Sequence, residues 1–108
     1  MGLIHQMHAD YLKALAHPTR LKILDLLRGH DELCVCNLID NLELDQSNIS
    51  QHLRVLKKAG IVSSNKVGLK VFYKPVTQDV YDLIDLLNPL IAHQLQTLSN
   101  ILESEAKV

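Results

Sequence analysis

Residues 45–60 spell out one helix with both of its ends marked, and that stretch restricts the fold more than any other part of the chain. Asp45 is an N-cap type of residue, whose carboxylate can take an otherwise unpaired amide of the first turn. Ile49, Leu53 and Leu56 follow at i, i+4 and i+7 and form one apolar stripe. Gly60 tolerates the left-handed backbone that closes a helix C-terminus. The spacing therefore predicts a helix over about 46–59 with one face in a core. Its opposite face collects Ser47, Ser50, Gln51, Arg54 and Lys58, groups suited to base edges and phosphates.

The charge pattern points the same way. The formal net charge is only −1, yet residues 46–74 contain no Asp or Glu and carry Arg54, Lys57, Lys58, Lys66, Lys70 and Lys74. The rest of the chain is acidic. A basic block inside an acidic chain is either an ordinary solvated surface or a face that meets a polyanion.

Before this helix, Leu3, Met7, Tyr11 and Leu15, supported by Ile4 and Leu12, recur every four residues and predict a first helix over about 3–16. Pro18 suits the first turn of a second, over 18–28, with Leu21, Leu24 and Leu27 turned inward and Gly29 as terminator. Leu38, Ile39 and Leu42 suggest a short third helix, and residues 41–44 a turn out of it. After Gly60, residues 61–64 and 70–73 are β-prone runs separated by a loop at 65–69 that holds Gly68, which reads as a hairpin. Residues 78–104 resume a helical period, with Pro89 dividing them into two pieces. There Ile84, Leu87, Ile91, Leu95, Leu98 and Leu102 form one apolar stripe, widened by Leu83, Leu90 and Ile101. That stripe needs a cover, either the first helix of the same chain or a second copy.

A length of 108 residues predicts a single domain over 1–108 and no separate catalytic one. No Gly-rich phosphate loop, paired-carboxylate site or nucleophile with a credible base is present, so an enzyme is not expected. No signal peptide or membrane-length apolar run is visible, which points to the cytoplasm, and no membrane contact or small organic substrate is expected. In that reducing compartment Cys34 and Cys36 are not expected to be a structural staple, and a bridge across one intervening residue closes a tight ring. Thiol chemistry or metal ligation is the functional expectation.

Two helices joined by a short turn, the second basic outside, and then a basic hairpin make a winged helix-turn-helix. The class is mainly α, with five or six helices and a two-stranded wing; the helix-turn-helix covers about 33–59 and the wing about 61–75. The segments His17-Pro18-Thr19-Arg20-Leu21-Lys22-Ile23-Leu24, Glu32-Leu33-Cys34-Val35-Cys36-Asn37-Leu38 and Ser50-Gln51-His52-Leu53-Arg54-Val55-Leu56-Lys57-Lys58-Ala59-Gly60-Ile61-Val62 resemble the ArsR/SmtB family of metal-responsive repressors, in the family's order and spacing. The resemblance implies a homodimer, paired through its first and last helices, that binds double-stranded operator DNA. The fourth helix would enter the major groove and the wing the minor groove or backbone. The expected DNA-binding residues are Gln46, Ser47, Ser50, Gln51, His52, Arg54, Lys57, Lys58, Lys66 and Lys70.

On a regular helix, positions i and i+2 face apart, so Cys34 and Cys36 are expected to share an ion only where the start of the third helix is unwound. Soft thiolates favour thiophilic ions. The resemblance implies that Cys-Val-Cys at this place is the sensing site of members responding to trivalent arsenic or antimony, shared with cadmium, lead and zinc sensors that carry added cysteines. Arsenite or antimonite is therefore the first inducer expected, with cadmium, lead or zinc as alternatives. Ile39 stands where arsenic sensors place a third cysteine. His5 and His8, one turn apart on the first helix, are either two exposed histidines or extra ligands to Cys34 and Cys36. A last-helix ion site found in other members maps here onto Val80, Asp82, His93 and Gln96, of which two are plausible ligands. A thiol pair at a helix start is also what oxidants attack, so a redox or reactive-sulfur sensor on the same fold is the alternative function.

Overall fold

The computed structural model describes residues 2–106. In chain order the elements are α1 (Gly2–Leu15), α2 (Pro18–Leu27), β1 (Leu33–Cys34), α3 (Val35–Leu42), α4 (Gln46–Lys58), β2 (Val62–Val67), β3 (Lys70–Pro75), α5 (Asp79–Asp85) and α6 (Leu87–Ala106). The mainly helical winged helix-turn-helix is as expected, with one strand more than the hairpin: the antiparallel sheet runs β1-β3-β2. The single domain expected over 1–108 divides into two compact units, 1–77 and 78–108.

The first unit is built on the predicted caps. Asp45 accepts the Asn48 amide at 2.7 Å, and Gly60 takes φ +77° just past α4. Ile49, Leu53 and Leu56 of α4 are fully buried with Ile23, Leu24 and Leu27 of α2 and Leu38 of α3. Ile23 replaces the expected Leu21, which is only half-buried, because the buried arc of α2 runs through 23, 24 and 27. Burial of a Leu or Ile of this kind contributes roughly 1.5 to 3 kcal/mol, so these side chains, with Ile61 and Val62 beside them in the core, are a large part of what holds the unit together. The wing spans the expected stretch, but its two strands are longer than their letters suggested. β2 and β3 pair from Val62↔Pro75 to Val67↔Lys70, leaving only Gly68 and Leu69 as the turn. Gly68, at φ +63°, occupies the first central position, where a twisted two-residue hairpin requires a positive φ.

On α1 only Ala14 and Leu15 are buried; Leu3, Ile4, Met7 and Leu12 are exposed along it. In the second unit the chain breaks at Leu86, and Pro89 falls in the first turn of α6, where its missing N–H costs no hydrogen bond. Leu90, Ile91, Leu95, Leu98, Ile101 and Leu102 all lie exposed on α6. Among the described residues no helix is long and apolar enough to cross a membrane.

Candidate nucleic-acid interface and thiol site

The outer face of α4 carries the side chains its letters assigned to it. Gln46, Ser47, Gln51, Arg54, Lys57 and Lys58 are exposed and Ser50 is half-buried. Lys57 donates to Ser64 Oγ of β2 at 2.6 Å, so this cation ties α4 to the wing. Lys58 lies toward α1, lining a cleft with Asp10, Lys13 and Arg20. On the wing, Lys66 is paired with Val71 and Lys70 with Val67. Because side chains alternate along a strand, the two lysines project from opposite faces of the hairpin. His52 departs from the expected set: it is half-buried and faces α2, with its ring 4.4 Å from that of His17 and Nδ1 3.4 Å from Arg20 Nη1.

The cysteine site differs from expectation in an instructive way. Cys34 and Cys36 are joined by a disulfide. They are not two positions of one regular helix, because α3 begins at Val35 and Cys34 is its N-cap, with φ −83° and ψ 163°. An extended residue followed by the first helical turn brings the two sulfurs together with the start of α3 intact, so the unwinding expected from helix periodicity is unnecessary. Cys34 Sγ accepts the Asn37 amide at 3.3 Å, while the Cys34 amide donates to Asn37 Oδ1 at 3.1 Å. This reciprocal pair is a capping box with sulfur in the place of a hydroxyl. Cys34 is buried and Cys36 exposed, so a reagent from solvent meets Cys36 first.

Cys34 also belongs to β1, which pairs with Phe72 of β3, placing the thiol pair on the sheet of the wing. A cavity of about 240 Å³ at the pair is lined by Cys34, Val35, Cys36, Ile39, Gln46, Leu69, Lys70 and Val71. Gln46 opens α4 and Lys70 opens β3, so two expected DNA contacts share a cavity with the cysteines. Sequence reasoning missed this adjacency, as it missed Asn37; the S/T-x-x-E/Q form of the capping box was masked by cysteine and asparagine.

The other ligand sets are not assembled among the described residues of one chain. No group of three or more His, Cys, Asp or Glu side chains that could hold an ion occurs among the described residues. His5 and His8 are exposed on α1, which packs on α2 and α4. Of the last-helix set, Val80 is buried, Asp82 and His93 are exposed, and Gln96 donates to Asn100 Oδ1 at 3.1 Å.

Residues 17–64 match the family model for bacterial regulatory proteins of the arsR family. An HTH-type transcriptional regulator of Methanocaldococcus jannaschii is 44% identical over 86 residues, covering 80% of this chain and 97% of its own. The chain belongs to the arsR family of bacterial regulatory proteins. It is a regulator of transcription and not an enzyme. The transcriptional repressor PagR of Bacillus anthracis is 40% identical over 82 residues, covering 76% of this chain and 82% of its own. The solution structure of a homodimeric winged helix-turn-helix DNA-binding domain from Mycobacterium bovis superposes with a TM-score of 0.76 at 29% identity, covering 87% of this chain and 86% of its own. Within that fold α4 is the second helix of the helix-turn-helix, and the hairpin of β2 and β3 that follows it is the wing.

Proposed function

We propose that this protein is a homodimeric transcriptional repressor that binds its operator through α4 and the wing and lets go when a thiophilic species engages Cys34 and Cys36. The observation that carries the reading is the shared cavity: the two sulfurs, the first residue of α4 and the first residue of β3 line one space. Cys34 caps α3 and is a rung of the wing sheet, so a change at its sulfur acts on both halves of the reading head. Support for the homodimer comes from the exposed apolar stripes on α1 and α6 and from the dimeric relative of known structure.

In the reduced form, two thiols with no third protein ligand among the described residues suit a trivalent metalloid: arsenous acid forms two arsenic–sulfur bonds, loses two waters and keeps one hydroxyl. Cadmium, lead and zinc ask for three or four protein ligands, which the described residues of one chain do not gather. Arsenite, with antimonite as its congener, is therefore the inducer the donor set fits best.

The disulfide favours a second reading, in which oxidation itself is the signal. Peroxide would take two electrons from the two thiols and leave as two waters, forming the Cys34–Cys36 bond with no metalloid involved. Both readings use the same cysteines and the same coupling.

The DNA-binding half is tested by charge removal. Arg54→Ala should weaken operator binding by about 1 to 3 kcal/mol if the side chain reads a base. Lys66→Ala and Lys70→Ala should instead reduce the salt dependence, each by a slope of about 1. Gel shifts at two salt concentrations measure both. Parent-like binding by the triple Ala variant would remove the assignment.

A further inference from the structure

Away from the cysteines, one guanidinium ties together three helices of the reading unit. Arg20 of α2 reaches His52 of α4 through Nη1, at 3.4 Å from Nδ1, and donates through Nη2 to the Lys13 carbonyl of α1, also at 3.4 Å. Its Nε is buried without a hydrogen-bond partner among the described residues, so these two contacts are what holds the group. The His17 ring also lies against the imidazole, with centroids 4.4 Å apart, and is fixed as the N-cap of α2 by the Thr19 amide, which donates to its Nδ1 at 3.1 Å.

This contact can be a hydrogen bond in only one protonation state. Arginine has only donors, so His52 Nδ1 must be an acceptor and the ring a neutral tautomer with its proton on Nε2. A proton on Nδ1 would set N–H against N–H and place a new charge beside Arg20. Arg20 also lines a mostly cationic cleft with Lys13 of α1 and Lys58 of α4, with Asp10 as its acid. Asp10 is engaged by Gln6, whose amide donates to it at 2.9 Å.

We propose that Arg20 and His52 form a latch that holds α4 against α1 and α2, and that the latch closes only while His52 is neutral, so that operator binding weakens on acidification. Both are positioning residues for the recognition helix, and the proposal rests on the reading of α4 as the helix that enters the groove. Burial first, then His17 and Arg20, push His52 below the ordinary imidazole value of 6.5. A histidine depressed in the folded state contributes stability that is present above that value and is lost as the pH falls through the depressed one. The acid limb therefore lies below about pH 6.5. An imidazolium drawn to a DNA phosphate would give the opposite sign, binding that strengthens with acid.

The test is the operator affinity of the full-length protein, by fluorescence anisotropy at fixed ionic strength, on a duplex selected from random sequence. Affinities are compared at about pH 5.5 and about pH 7.5, a window that spans imidazole titration. The parent should weaken about tenfold at the lower pH, an ordinary size for a coupled site. His52→Asn keeps an acceptor near Nδ1 and does not titrate, so its ratio between the two pH values should be near one; any effect of removing the ring that is the same at both pH values cancels in that ratio. His17→Asn, which keeps a capping side chain but removes one of the groups that depress His52, should keep an acid limb and move it toward higher pH. If thermal melting shows His52→Asn to be unfolded, Arg20→Gln replaces it and should bring the ratio well below the parent's. A parent ratio near one, a parent that binds more tightly in acid, or a folded His52→Asn with the full limb would overturn the latch. A parent without operator binding at about pH 7.5 would instead overturn the DNA reading beneath it.

Discussion

Leu95→Glu, or Leu98→Glu, should turn the dimer into a monomer and remove operator binding in the same step. Both leucines lie on α6 with more than half of their surface exposed, in line with Ile91 and Leu102, which are exposed as well. In a dimer that stripe is the natural seam, and a carboxylate placed in it would be buried without a partner, which costs several kcal/mol. A monomer offers one reading head. It forfeits the roughly 100- to 10,000-fold gain that linking two heads supplies, so specific binding should fall to the level of unrelated DNA. Sedimentation of parent and variants at micromolar concentration, together with anisotropy on the same samples, gives both readouts. A parent already monomeric under these conditions, or a dimeric Leu95→Glu variant with parent affinity, would contradict the seam.

Changing Cys34 and Cys36 together to Ser should leave repression in place and abolish the response to the inducer. The substitution is gentle where it matters for folding: at position 34 a hydroxyl can accept the Asn37 amide as the sulfur does, and Ser is a favoured N-cap. With the reduced parent, arsenite should lower operator affinity roughly 5- to 150-fold, the range of a coupling of about 1 to 3 kcal/mol. Reciprocity requires operator DNA to weaken arsenite binding by the same factor. Sulfur-to-metalloid charge-transfer absorption should rise on titrating the parent and be absent from the variant. Release of the parent by peroxide and not by arsenite, with a variant deaf to both, would select the oxidation reading. A double Ser variant that still responds to arsenite, cadmium and lead would remove the site from α3 and direct attention to His93 on α6.

How much of this was legible in the letters depended on whether the signal was local. The fourth helix was readable because its cap, its apolar period and its terminal glycine all lie within residues 45–60, and Asp45, Ile49, Leu53, Leu56 and Gly60 each do what their type implies. The strand β1 was not readable, since two residues carry no alternation and pair only because β3 comes alongside from a distant part of the chain. Its absence from the sequence reading led directly to the wrong geometry for the cysteines. With Cys34 treated as helical, the sulfurs faced apart; as an extended N-cap residue, it faces its neighbour. The hairpin loop was drawn too long for a related reason: Asn65, Lys66 and Val67 look like loop and strand in equal measure, and only the register with Val71 and Phe72 makes them strand. His52 was assigned to the groove because it lies among polar residues on α4, whereas the neighbours that hold it, Arg20 and His17, are more than thirty positions away.

Two copies of this chain should read a symmetric site with α4 and the wing, and selection of DNA from a random pool by the reduced protein tests this most directly. The predicted result is enrichment of one sequence with two-fold symmetry, its half-sites about 10 base pairs apart from centre to centre or a multiple of that. Two chains should bind each duplex, and the same selection with Arg54→Ala should blur the preferred bases in both half-sites alike. Failure to enrich any sequence, or enrichment of an asymmetric site occupied by a single chain, would contradict it.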